Sequence, residues 1–85
     1  MNDERIRALD ETLARVRAEV IRAAAKFPPF NSAHEGYAVI LEELDEFWAE
    51  VTLKRHERSP AQQRRELIQI AAMALRTAAD VVPIA

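Results

Sequence analysis

Apolar residues recur every three or four positions along most of this chain, and that spacing constrains its fold more than any other feature. In the first such segment, residues 3–27, the apolar side chains fall on one stripe of a helix. Pro28 and Pro29 follow directly, and neither can donate the backbone hydrogen bond that would continue the helix. The regular spacing favours a neighbour lying nearly parallel or antiparallel to this helix. The stripe consists of Ile6, Leu9, Leu13, Val16, Val20, Ala23 and Phe27.

Two further segments with helical spacing begin at serines. Ser32 has a glutamate three residues later, and Ser59 has a proline directly after it and a glutamine three residues later. Both are patterns typical of a helix start. They predict a second helix over about 32–55 and a third over about 60–82, with Pro83 as its stop.

The composition agrees with an all-α protein of a single domain covering residues 1–85. Hydrophobic residues make up 49% of the chain and there is one glycine, a balance that favours helix over strand. A chain of 85 residues supports only a modest core. We therefore expect a three-helix antiparallel unit that completes a helical bundle by oligomerisation, as a dimer or a higher oligomer.

Several classes of protein are disfavoured by simple counts. The chain has no cysteine, so disulfides and thiolate metal sites are excluded. It is charged from Asp3 onward and has no apolar run near the roughly 20 residues of a membrane span. Its net charge of -2 gives no reason to expect binding to a nucleic-acid duplex. The expectation is a cytoplasmic protein without a membrane partner.

Charge is unevenly distributed along the second predicted helix and the turn that follows it. Residues 42–50 contain five acids and no base, whereas residues 54–65 contain five bases and one acid. Crowded carboxylates beside an apolar face are unfavourable unless water or a cation offsets them. This order of charge is typical of a metal site next to phosphate-binding groups, and also of two solvated helix ends.

Antiparallel pairing of the second and third helices brings several acids together. Counting outward from a short turn places Glu50 level with Glu66, and Glu46 near Gln69. Glu43 lies one helical turn further along, on the same edge of the apolar face. These four glutamates are therefore expected to converge between the two helices.

The acids resemble the signature of the MazG-like, all-α nucleoside triphosphate pyrophosphohydrolases, in which E-E-x-x-E on one helix precedes E-x-x-D on the next. Glu42, Glu43 and Glu46 match the first half, and Glu66 matches the start of the second. The chain departs from the family pattern at Gln69, where the family has an aspartate. The resemblance covers the second and third predicted helices.

The resemblance implies an enzyme that uses Mg²⁺, or Mn²⁺, to split a nucleoside triphosphate into a monophosphate and pyrophosphate, and that assembles as a dimer or tetramer. It makes Glu43, Glu46 and Glu66 metal ligands, with Gln69 in the fourth position. A glutamine carbonyl can coordinate a hard cation, but it brings no charge.

Other polar residues have predicted roles in such a site. Glu42 or Glu50 is a candidate to accept the proton of the attacking water. Glu50 is also a candidate to replace the missing fourth carboxylate. Lys54 and Arg76 are candidate phosphate contacts, although Glu50 and Lys54 also have the spacing of a simple helical ion pair.

Three functions are compatible with these patterns. The first is an active pyrophosphohydrolase, and the second is a degenerate member that binds metal or nucleotide without turnover because of Gln69. The third is a helical oligomerisation or interaction module whose acids form a solvated face. The aromatic residues fit a core or an oligomer interface better than a base-stacking pocket. Gly36, early in the second helix, indicates close approach of another backbone or a ligand.

Overall fold

Three α-helices make up the fold in the computed structural model, which describes residues 1–82. No strand occurs in that part of the chain, so the all-α, three-helix prediction is confirmed. The predicted stop at Pro83 lies outside the described residues. The helices are α1 (Asp3–Lys26), α2 (Ala33–Val51) and α3 (Pro60–Val81), with a short 3-10 helix at Arg55–Glu57 between α2 and α3.

A side-chain cap begins each helix. The side-chain oxygen of Asn2 accepts a hydrogen bond from the backbone N–H three residues later at 2.9 Å, that of Ser32 at 3.2 Å and that of Ser59 at 3.1 Å. Each bond satisfies a backbone donor that the first turn leaves free, and such a cap is worth about 1 kcal/mol. Both serine caps are those that the sequence predicts.

The end of α2 differs from the prediction by one helical turn. The helix stops at Val51, and the Thr52 hydroxyl donates to carbonyl oxygens of the preceding turn. The chain then passes through the 3-10 helix, where Arg58 Nε donates to the Leu53 carbonyl at 2.7 Å. The connection is therefore longer than the predicted turn, and this changes which residues of α2 and α3 stand opposite each other.

The central helix is α3, because the backbones of α1 and α2 each approach it closely and, within the described chain, do not approach each other. Contacts at both ends show that α1 runs parallel to α3. Arg64 donates to the Thr12 hydroxyl at 2.8 Å, and Arg76 donates to the Pro28 carbonyl at 3.2 Å. A groove therefore separates α1 from α2, and α3 forms its floor.

Gly36 lets α2 approach α3 closely, as its place in the sequence indicated. A Cβ atom built at this position would lie 2.5 Å from Cγ2 and 3.0 Å from Cβ of Thr77. Thr77 is itself held in place, since its hydroxyl donates to the Met73 carbonyl at 2.8 Å. Only glycine leaves room for this crossing.

The buried core is small. Among the described residues it contains only four buried apolar side chains, while many long apolar side chains stay in contact with solvent. Trp48, for example, is 65% exposed and Leu13 is 52% exposed. The three helices alone therefore leave much of their apolar surface uncovered. The core residues are Val16, Ala23, Ala72 and Met73.

We predict that Gly36→Ala destabilises the protein by about 1–3 kcal/mol, because the added methyl group overlaps the Thr77 side chain. Helix propensity alone predicts the opposite sign, since alanine is favoured over glycine by about 1 kcal/mol inside a helix. The free energy of unfolding, measured by urea denaturation monitored by circular dichroism, distinguishes these two expectations. Adding Thr77→Ala should recover much of the loss, and a Gly36→Ala variant as stable as the wild type would contradict the close crossing.

Candidate metal centre and adjoining cavity

Three carboxylates from two helices meet at one point of the α2–α3 interface. Glu43 and Glu46 of α2 and Glu66 of α3 each offer an oxygen, and these oxygens lie within 4.8 Å of one another. Glu43 and Glu46 are three residues apart and so project from one side of α2, towards the antiparallel α3. Gln62, one turn before Glu66, donates its side-chain amide to Glu66 Oε1 at 2.5 Å. We call these three glutamates the acid triad.

Charge repulsion within the acid triad is not relieved by a neighbouring base. Partial burial, followed by the charges of Glu46 and Glu66, raises the pKa of Glu43 to about 7. The pKa of Glu46 is also raised, by desolvation and by Glu66. Among residues 1–82, no lysine or arginine nitrogen lies within 4.0 Å of a triad oxygen. A bound cation would offset this repulsion.

Glu50 lies outside the acid triad. Its Oε1 atom accepts the backbone N–H of Ser59 at 2.8 Å, so it anchors the residue that caps α3. The predicted position beside Glu66 assumed that α2 continues to about residue 55. Because α2 ends at Val51, Glu50 stands opposite the start of α3 instead.

Gln69 and Glu42 both lie close to the acid triad without belonging to it. Gln69 lies in the wall of a cavity beside Glu43 and interacts with Glu19 of α1. The pKa of Glu19 is lowered, chiefly by its hydrogen bond from Arg22, and the nearby Gln69 side chain adds a smaller effect in the same direction. Glu42 is exposed, and its charge adds to the raised pKa of Glu43.

The cavity occupies the groove between α1 and the α2–α3 pair and has a volume of about 490 Å³. This volume falls within the range of pockets that bind small organic molecules. Glu43 contributes to its wall, so the cavity adjoins the acid triad. The polar lining residues are Glu19, Arg22, Lys26, Glu35, Glu43, Gln69 and Arg76, and the others are Ala23, Phe27, Pro28, Phe30, Val39 and Met73.

Of the two predicted phosphate contacts, Arg76 lines the cavity and Lys54 does not. Lys54 is exposed and directly precedes the 3-10 helix. Two bases from α1, Arg22 and Lys26, line the cavity instead, and the sequence reasoning missed them. Their spacing of four residues, beside the small Ala23 on the apolar stripe, was the available signal.

Comparison of the chain with protein-family models, with curated proteins and with solved structures finds no match. The resemblance to the MazG-like family therefore stays a prediction that rests on the acidic motif. Three of the residues that carry the motif meet in space, and Glu42 stands next to them. No helix in residues 1–82 has the length and apolar character needed to cross a membrane.

The raised pKa of Glu43 predicts how stability depends on pH when no divalent cation is present. Glu43 titrates near its ordinary 4.5 when the chain is unfolded and at about 7 when folded, so the folded state binds the proton more tightly. The stability contributed by protonation of Glu43 is fully present below about pH 4.5 and is lost as the pH rises through about 7. The thermal midpoint should therefore fall over that range.

Glu43→Gln should remove this pH dependence, and calorimetry in the presence of a chelator measures it. Asp45→Asn is the matched control, because Asp45 is an exposed acid of the same helix outside the acid triad. If the thermal midpoint of Glu43→Gln falls with rising pH as steeply as that of the wild type, the pH dependence arises from other groups.

Proposed function

We propose that this protein is a divalent-metal-dependent nucleoside triphosphate pyrophosphohydrolase, which converts an NTP or dNTP to the monophosphate and pyrophosphate. The observation that carries the proposal is the position of Glu43, which belongs both to the acid triad and to the wall of the cavity. An enzyme of this class needs a metal site beside a pocket for its substrate. The type of reaction is taken from the resemblance of the acidic motif to that of the MazG-like family.

The acid triad suits Mg²⁺ or Mn²⁺. Mg²⁺ prefers oxygen ligands at about 2.0–2.1 Å, so oxygens around one ion lie about 3–4 Å apart. The spacing in the acid triad, within 4.8 Å, is close to that requirement. Glu43, Glu46 and Glu66 would hold the ion, which would polarise a phosphoryl group, compensate its charge and lower the pKa of a bound water.

Among the two predicted proton acceptors, Glu42 fits this role better than Glu50. Glu42 is exposed beside the acid triad, whereas the Glu50 carboxylate accepts a backbone hydrogen bond at the start of α3. Phosphoryl chemistry depends mostly on positioning and electrostatics. A carboxylate beside the ligands is therefore well placed to orient a water and take its proton.

Binding of metal or nucleotide without turnover is the second candidate function. It is favoured by Gln69, which stands where the family pattern has an aspartate and interacts with Glu19 of α1. A site with three carboxylates holds a metal less tightly than one with four. The third candidate, a helical interaction module, is favoured by the exposed apolar side chains.

Self-association is part of the proposal, as a homodimer or homotetramer. The exposed apolar residues of α2 are spaced by four, three and four positions, so they form one continuous stripe. With only four apolar side chains buried in residues 1–82, a second copy is the partner that would most simply complete the bundle. The stripe consists of Tyr37, Leu41, Leu44 and Trp48.

Hydrolysis is tested with a panel of ribo- and deoxynucleoside triphosphates in the presence of Mg²⁺ or Mn²⁺, with the products separated by chromatography. We expect monophosphate and pyrophosphate in equal amounts. Glu46→Gln should reduce turnover to background, because it removes one ligand charge without changing the shape of the side chain. Asp45→Asn should leave turnover unchanged.

Release of orthophosphate and a diphosphate would contradict the proposed bond cleavage. If turnover is absent but Mg²⁺ raises the thermal midpoint, the protein binds metal without hydrolysis. Gln69→Asp is then the variant expected to strengthen metal binding. If Mg²⁺ neither supports turnover nor raises the thermal midpoint, the acids are a solvated face and the interaction module is the better description.

Self-association is tested by sedimentation velocity at micromolar concentration, where we expect a dimer or tetramer. Leu44→Lys should dissociate it, because a charge would replace a leucine in the centre of the exposed stripe. Ala49→Lys adds the same charge on an exposed part of α2 away from the stripe and should leave assembly intact. A monomeric wild type would contradict the prediction.

A further inference from the structure

Arg76 is the one charged side chain that is buried among the described residues, with only 5% of its surface exposed. Removing a guanidinium group from water is unfavourable unless a carboxylate or another anion compensates its charge. A buried arginine is therefore normally found in an ion pair. The partners of Arg76 decide whether that is the case here.

Within residues 1–82, the direct contacts of the Arg76 guanidinium are with uncharged groups. It donates to the Pro28 carbonyl at 3.2 Å, contacts Met73 Sδ at 3.7 Å and stacks over the Phe30 ring, 4.3 Å from its centroid. Its Nε atom has no acceptor. Asp80, one turn further along α3, lines a small second cavity with Arg76, and its carboxylate accepts the Phe30 backbone N–H at 3.1 Å. In the described part of the chain, no carboxylate oxygen lies within 4.0 Å of the Arg76 nitrogens. Arg76 therefore has no direct ion pair.

The acids that share the cavity with Arg76 are engaged elsewhere. Glu19 pairs with Arg22, Glu35 accepts the side-chain amide of an asparagine at 2.9 Å, and Glu43 belongs to the acid triad. Lys26 also lines the cavity, with its ammonium group 5.3 Å from the centroid of the neighbouring Phe27 ring. Among the described residues, Lys26 and Arg76 are therefore the cations of the cavity wall that have no ion pair.

We propose that this cavity is a binding site for a small organic oxyanion, and that Arg76 is its electrostatic anchor. The ligand would place a phosphate or carboxylate group near Arg76 and Lys26 and an apolar body against Phe30 and Met73. Arginine suits both oxyanions, and the contacts with Phe30 and Pro28 already hold its side chain in place. The cavity has room for a molecule the size of a nucleoside monophosphate.

This inference rests on Arg76 and the cavity and not on the acid triad. It therefore does not require a metal and does not require hydrolysis. A chelator separates the two sites experimentally, because it removes any divalent cation from the triad and leaves the charge of Arg76 unchanged.

The test measures the thermal midpoint of the full chain in the presence of a chelator, at constant ionic strength. The probes are a nucleoside monophosphate, the corresponding uncharged nucleoside, inorganic phosphate and benzoate. We expect the monophosphate to raise the midpoint in a concentration-dependent manner and the nucleoside not to do so. The responses to phosphate and benzoate show which oxyanion the site prefers.

Arg76→Met is the decisive variant, because methionine keeps much of the apolar packing and removes the charge. Binding of the monophosphate should weaken by about tenfold to hundredfold. The thermal midpoint of the free variant should equal or exceed that of the wild type, since a buried charge without a direct ion pair is lost. Asp45→Asn removes an exposed charge outside both the acid triad and the cavity, and should retain the full response to the monophosphate.

Three results would overturn the inference. One is the absence of any response of the wild type to the charged probes at millimolar concentration. Another is an unchanged response in Arg76→Met. The third is an Arg76→Met variant that unfolds at a lower temperature and no longer self-associates, while the wild type ignores the probes, because another copy of the chain would then compensate the charge.

Discussion

The close crossing of α2 over α3 at Gly36 and Thr77 is the contact on which the rest of the structure depends. It fixes the register of the two helices at one end, and the hydrogen bond from Ser59 to Glu50 fixes it at the other. The acid triad lies between these two points. A shift of α2 by one residue would turn its side chains by about 100° and separate the glutamates.

The central position of α3 explains both the small core and the cavity. Because the backbones of α1 and α2 approach α3 and not each other, a groove between them stays open. Two arrangements that are unfavourable for folding border this groove: the like charges around Glu43 and the buried charge of Arg76. Binding sites commonly carry such costs in stability, which a ligand or ion then offsets.

Much of the fold follows from local patterns in the sequence, whereas the register of the helices does not. The serine caps, the proline stop after α1 and the close approach at Gly36 are local signals, and the structure confirms them. The position of Glu50 was predicted wrongly because the Thr52 hydroxyl and the 3-10 helix end α2 one turn early. The burial of Arg76 could not be predicted, since periodicity shows which face of a helix is apolar and not which helix covers it.

The separation of the α1 and α2 backbones has a mechanical consequence. Within residues 1–82, the two walls of the cavity are held together by α3 and by a short connection that contains Pro28 and Pro29. A molecule that touched Lys26 on one wall and Glu43 on the other would bridge two helices whose backbones do not approach each other. Occupancy of the cavity would then tie the position of α1 to that of the acid triad.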